Sequence, residues 1–181
     1  MDLTPNRAHI ALLATLCLGL LWQETPGDAQ ARASAAASVA VSSERIAGIV
    51  ASANPELSPK QRQRIGRAVL RSSRSHGLDP QLVTAIILVE SGARPWVRSP
   101  KGAVGLMQVM PHMAEPLGLR GNLVGIEHNV EAGCRILADN IRRLGEEDGI
   151  SAYFWGSRIR GVAYLDRVRA AQETVQRHVE S

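Results

Sequence analysis

The sequence predicts an all-α domain, and three observations carry that prediction. Aromatic residues make up only 3% of the 181-residue chain, so its core must come from Leu, Ile, Val, Ala and Met. Strand-rich domains lean instead on aromatic and β-branched residues. Helix start and stop signals recur in order, and no alternating apolar–polar run exceeds a few residues.

The first thirty residues stand apart from the fold. Arg7 gives a basic start, Ile10 to Trp22 is an apolar run of about 13 residues, and polar residues Gln23 to Asp28 follow. The run is too short to span a bilayer comfortably. Ala29-Gln30-Ala31 then supplies small residues, the layout of a secretory signal peptide covering residues 1–31, with cleavage after Ala31 or Ala33. The competing reading is an uncleaved anchor. Cys17 lies inside the apolar run, not behind it, which argues against lipidation. Residues 32–43, RASAAASVAVSS, are low in complexity and read as a flexible tether, placing the domain at 44–181.

Ser58-Pro59 pairs an N-cap with a first-turn proline, and the helix it opens runs to about Ser75 before Gly77. Lys60, Arg64, Arg67, Arg71 and Arg74 form one stripe of it, either a solvated face or an electrostatic guide toward an anionic polymer. Asp79-Pro80 repeats the start signal. Leu82, Ala85, Ile86 and Val89 mark the buried face of a second helix, which ends around Glu90-Ser91-Gly92. Residues 93–105 hold Pro95, Pro100 and three Gly or Ser residues and read as a loop. A short helix is expected over Leu106 to Met113, and a longer one from Asn129 to Leu144, closed by Gly145. Val130, Cys134, Leu137, Ile141 and Leu144 share the apolar face of that longer helix, which makes Cys134 a buried, inert thiol. Ser151 to Phe154 reads as a short turn or helix, and Val162 to Val179 as a last helix.

Charge narrows the partners. Losing residues 1–31 removes Arg7 but also Asp2, Glu24 and Asp28, which takes the net charge from +4 to +6. A basic exported protein suits an anionic wall or membrane surface, and nucleic acid is a poor partner for an exported chain. There is no phosphate-cradling glycine loop and no His/Cys/Asp metal spacing, so no cofactor is expected.

The stretch AIILVESGARPWVRSPKGAVGLMQVMP, residues 85–111, carries the chemistry. Glu90 ends a strongly apolar helix. Apolar surroundings disfavour the charged carboxylate and prepare it to hold a proton near neutral pH. Taken alone, it reads first as a helix-end glutamate that hydrogen-bonds a loop. Around it stand Glu90-Ser91, Gly105-Leu106-Met107-Gln108 with Met110-Pro111, the approach HGLDPQLVTAIILVES at 76–91, Asn129 to Gly133, Ala152-Tyr153, and Tyr164 in YLDRV. In this order they resemble the soluble-lytic-transglycosylase family, whose fold is goose-lysozyme-like.

The resemblance implies a lysozyme-like helical domain with a substrate groove, an exported and periplasmic location, and glycan strands of peptidoglycan as substrate. It implies a single catalytic carboxyl, Glu90. This group would protonate the glycosidic oxygen after N-acetylmuramic acid, and the sugar's acetamido oxygen would stabilise the developing charge. Glu90 would then act as base on the C6 hydroxyl, closing a 1,6-anhydro ring. It also implies substrate-side roles for Ser91, Met107, Gln108, Asn129, Tyr153 and Tyr164. The bland readings beside these are a helix-end serine, core filler, a loop-fixing amide, a helix N-cap and two half-buried tyrosines. Where the family has asparagine after the tyrosine of Ala-Tyr-Asn, this chain has Phe154-Trp155-Gly156-Ser157 and a short link to Tyr164. That removes a polar contact and trims one wall of the groove. Two rival functions stay open: a lysozyme-like muramidase, which would need a placed water or a second carboxylate such as Glu115, Glu127 or Glu131, and a non-catalytic wall-binding or secretion-associated protein. Small exported enzymes of this kind also resemble those that open the wall for envelope-spanning secretion or motility assemblies.

Overall fold

The computed structural model describes residues 41–119 and 121–180. The expected signal peptide and all but the last three residues of the expected tether lie outside the described residues. Among the described residues there are seven α-helices, one 3-10 turn and no strand, only isolated bridges. The helices are α1 (Ser43–Ala53), α2 (Pro59–His76), α3 (Pro80–Ser91), α4 (Pro111–Ala114), α5 (Ile126–Leu144), α6 (Glu146–Trp155) and α7 (Ala163–Glu180), with the 3-10 turn Glu115–Leu117 after α4. The all-α expectation is met.

Local chemistry explains the boundaries. Ser58 and Gln61 form a capping box at α2: the Gln61 N–H donates to Ser58 Oγ at 3.3 Å, and the Ser58 N–H donates to Gln61 Oε1 at 2.9 Å. Asp79 caps α3 by accepting from the Gln81 N–H at 2.9 Å. Both helices stop at glycines in the left-handed region, Gly77 (φ 65°) and Gly92 (φ 57°). α1 starts at Ser43, one residue before the expected domain edge, with Ser42 as its cap and Ile46, Ile49 and Val50 on its buried side.

Helix α3 is buried over the continuous run Leu82 to Ile87, and α7, α2 and α1 pack against it. α5 packs between α2 and α6. The shared core includes Ile46, Ile65, Val69, Ile86, Met107, Val130, Leu137 and Val168. Cys134 is fully buried within it, and burial pushes its thiol far above the ordinary range, so the expected inert thiol is what the structure holds.

Three expected elements differ. No helix covers Leu106 to Met110. The chain there makes a tight turn, with Gly105 at φ 76° and Gln108 at φ 47°, and helix begins only at Pro111. α5 begins at Ile126 with Gly125 as its cap, so Asn129 sits inside the helix and is not its N-cap. The expected short turn or helix at Ser151 is a ten-residue helix, whose first turn carries Glu146, Glu147 and Asp148 against the positive end of its dipole.

On the basic stripe, Arg64 forms a bidentate pair with Glu127 of α5, at 2.8 and 2.6 Å. The Arg64 guanidinium pulls the Glu127 carboxyl down to about 2. Arg67, Arg71 and Arg74 stay exposed.

Candidate active site

Glu90 lies in the last turn of α3, half-buried, and its carboxyl meets the start of α7. The Tyr164 hydroxyl donates to Glu90 Oε1 at 2.7 Å. Burial raises the Glu90 carboxyl above its ordinary range; the Tyr164 hydrogen bond and the nearby Arg167 guanidinium pull the other way without cancelling it. A carboxyl placed so holds a proton more readily than a free one and has one oxygen fixed by a donor. That is the state a general acid needs.

Tyr164 is 1% exposed. Burial, and then the charge of Glu90, push its phenol far above its ordinary range, so it stays a neutral donor. Tyr153, on α6, is held the same way, chiefly by burial. Its hydroxyl donates to the Met107 carbonyl at 2.8 Å. The two tyrosines therefore tie Glu90 and the Gly105–Gln108 turn to neighbouring helices.

The turn is held from beneath as well. Asn129 is completely buried, and its side-chain amide is fully used: Oδ1 accepts from the Met107 N–H at 2.8 Å, and Nδ2 donates to the carbonyls of Val104 at 2.7 Å and Leu123 at 2.8 Å. Glycine is required at two points of this contact. A Cβ on Gly105 would lie 2.5 Å from Asn129 Nδ2, and one on Gly133 would lie 2.5 Å from Met107 Sδ. Backbone bonds between Val104 and Val109, at 3.1 and 3.0 Å, close the turn.

The site residues expected from the sequence thus fall into two layers. Glu90, Gln108 and Tyr153 reach the surface. Ser91, Met107, Asn129 and Tyr164 lie below it. Gln108 spends its amide nitrogen on the turn itself, donating to Val97 O at 3.3 Å and Gly105 O at 3.0 Å. Ser91 donates to Ile87 O at 3.1 Å and accepts from the Arg94 N–H at 3.3 Å, which fixes how the chain leaves α3. Met107 is core beneath the turn, against Gly133.

One neighbour was read in the sequence only as a departure. Phe154 stacks on Tyr164, with ring centroids 4.9 Å apart and planes 13° apart, and Arg167 stands 5.8 Å and 5.6 Å from the two rings. The spacing that joins 154 to 164 and 167 spans two helices and a link, so no local pattern displays it.

The carboxylates considered as second catalytic groups are otherwise engaged in two cases. Glu127 pairs with Arg64. Glu131 bonds His76 Nε2 at 2.7 Å and accepts from Ser72 Oγ at 2.8 Å. Burial opposes ionisation of Glu131, but His76, Ser72 and Arg135 together leave its carboxyl below the ordinary range.

The transglycosylase SLT domain matches residues 68–165, which contain Glu90, Ser91, Met107, Gln108, Asn129, Tyr153 and Tyr164. The chain is 36% identical over 87 residues to the transglycosylase of Enterobacteria phage PRD1, covering 48% of this chain and 32% of that protein. It is 37% identical over 95 residues to an endo-type membrane-bound lytic murein transglycosylase A of Klebsiella pneumoniae, covering 47% of each. The chain thus spans 32% and 47% of the length of these two relatives. Among solved structures it resembles the 70 kDa soluble lytic transglycosylase of Escherichia coli at 24% identity and a TM-score of 0.48, covering 63% of this chain and 22% of that one. With the family's domain matched over more than half of its length, from α2 into α7, this chain is a member of the transglycosylase SLT domain family.

Proposed function

We propose that this protein is a lytic transglycosylase that cuts the β-1,4 bond between N-acetylmuramic acid and N-acetylglucosamine in peptidoglycan, with Glu90 as its single acid and base. The observation that carries the reading is the carboxyl of Glu90, raised by burial and held by the Tyr164 hydroxyl in the middle of the family's domain. Similar proteins are named lytic murein transglycosylases, which supports the same substrate.

In the first step protonated Glu90 gives its proton to the glycosidic oxygen as the bond to the anomeric carbon breaks. The acetamido oxygen of the same sugar shares the positive charge at that carbon. Glu90, now a carboxylate, takes the proton of the C6 hydroxyl as that oxygen closes on the anomeric carbon. The product carries a 1,6-anhydro ring, and Glu90 is again protonated. The closure is intramolecular and gains from the high effective concentration of the hydroxyl. A hydrolytic route would bring water to the anomeric carbon in place of the C6 hydroxyl, and two of the carboxylates that could assist it, Glu127 and Glu131, are bonded to α2.

The wall lies outside the cytoplasm, so the proposed site of action is the periplasm. The proposed larger role is local opening of the wall for an envelope-spanning assembly. No helix among the described residues is long and apolar enough to cross a membrane.

Digestion of purified peptidoglycan followed by mass spectrometry tests the reaction. The expected products end in anhydromuramic acid. Products ending only in reducing sugars would make the protein a muramidase, and no soluble product would remove the catalytic reading.

Tyr164→Phe separates orientation from acidity. Losing the hydroxyl removes a bond that lowers the Glu90 pKa, so the carboxyl rises further. The alkaline limb of the pH–rate profile is expected to move to higher pH, while the rate at the optimum falls by about tenfold or more because Oε1 loses its anchor. A profile with an unmoved alkaline limb would show that this limb does not report Glu90.

A further inference from the structure

Phe154 is half exposed, at 50%, beside the proposed catalytic carboxyl. Its ring is stacked on Tyr164, the residue that bonds Glu90, and meets Trp155 edge-on at 4.9 Å and 87°. Single exposed apolar side chains are common on protein surfaces and by themselves mean little. Two further features set this one apart. The Trp155 indole N–H is buried yet has no acceptor among the described residues, and a buried donor of that kind calls for a partner. The Arg167 guanidinium stands against both stacked rings, exposed, and forms no ion pair with a carboxylate among the described residues.

A pyranose ring presents a face of C–H groups flanked by polar edges. An aromatic face carries negative partial charge and attracts such hydrogens, while its apolar body covers the carbon skeleton. A guanidinium fixed beside the ring then meets whatever hangs from the sugar's edge, and its fork suits a carboxylate.

We propose that Phe154 is a stacking platform for a pyranose ring of the glycan beside Glu90, and that Arg167 selects a ring bearing an acidic substituent, as N-acetylmuramic acid with a free lactyl carboxyl does and N-acetylglucosamine does not. The proposal rests on the glycan-cleaving reading and deepens it.

Titration calorimetry on the Glu90→Gln protein tests the platform without turnover, and also takes the effect of Arg167 on that carboxyl out of the comparison. The probes are chitotetraose and a tetrasaccharide of alternating N-acetylglucosamine and N-acetylmuramic acid with free lactyl groups. In that background Phe154→Leu, which keeps apolar bulk but has no aromatic face, should weaken both ligands by about five- to tenfold, and Phe154→Trp should restore binding. Arg167→Gln should weaken only the muramyl ligand and flatten its dependence on salt. Unchanged affinity in Phe154→Leu overturns the platform, and equal losses for both ligands in Arg167→Gln overturn the selection. If the parent binds neither saccharide, the proposal fails. If it binds them normally while wild-type digests contain no anhydro product, only the cleavage reading fails.

Discussion

Glu90→Gln is expected to reduce release of soluble fragments from peptidoglycan by about 10²- to 10⁴-fold, the loss typical of removing a general acid. Glutamine keeps the shape of the side chain and an oxygen that can accept from Tyr164, so the fold and the binding surface should persist. What is lost is the transferable proton in both steps. The same substitution has a second signature. Burial raises the folded-state pKa of Glu90 above its unfolded value. A group shifted this way favours the folded state fully at pH below the unfolded pKa, and loses that contribution as pH rises through the folded pKa. Glutamine never ionises, so the variant should match wild type in acid and melt at a higher temperature at neutral pH. Activity retained at the wild-type level would end the single-carboxyl mechanism. Activity lost with no stability gain at neutral pH would mean that Glu90 is not desolvated as the fold implies.

Much of the helical frame is written locally. The Ser58-Pro59 and Asp79-Pro80 starts and the Gly77 and Gly92 stops each act within a few residues, and α2 and α3 fall within a residue of the positions they mark. Glu90 at the end of an apolar helix was legible for the same reason. The failures share a cause of the opposite kind. Leu106 to Met110 has the composition of a helix, but its amide at Met107 is taken by an asparagine 22 residues further on, and Gln108 is held at positive φ within the turn. Asn129 itself looks like a cap because asparagine favours caps. In the folded chain its partners belong to other segments, and it serves in a helix interior. α1 was missed as a helix because Gly48 and the small residues Ala51 to Ala53 blur its apolar stripe. The stack of Phe154 on Tyr164 depends on how α6 and α7 meet, which no window of sequence contains.

Asn129→Ala should be the most destabilising of the site substitutions. Alanine leaves the buried Met107 N–H and the part-buried Leu123 carbonyl without their partner, whereas the Val104 carbonyl keeps its bond from the Val109 N–H. A buried orphan costs about 1–3 kcal/mol and a part-buried one less, so the loss should be about 2–4 kcal/mol, a fall in Tm on the order of 10 °C. Aspartate should not rescue it, since a carboxylate cannot donate to the two carbonyls and is costly in a dry site. Glutamine is too long for a pocket that has no room even for a Cβ on Gly105. Activity should fall with stability, because the Met107 carbonyl that Tyr153 holds belongs to the freed turn. The alternative implied by the family resemblance is direct contact of Asn129 with the glycan. A substrate contact predicts a raised KM at unchanged Tm, whereas a buried clamp predicts a lowered Tm whether or not glycan is present. Thermal melts without ligand therefore decide between them, and an unchanged Tm would move Asn129 from beneath the turn to the substrate.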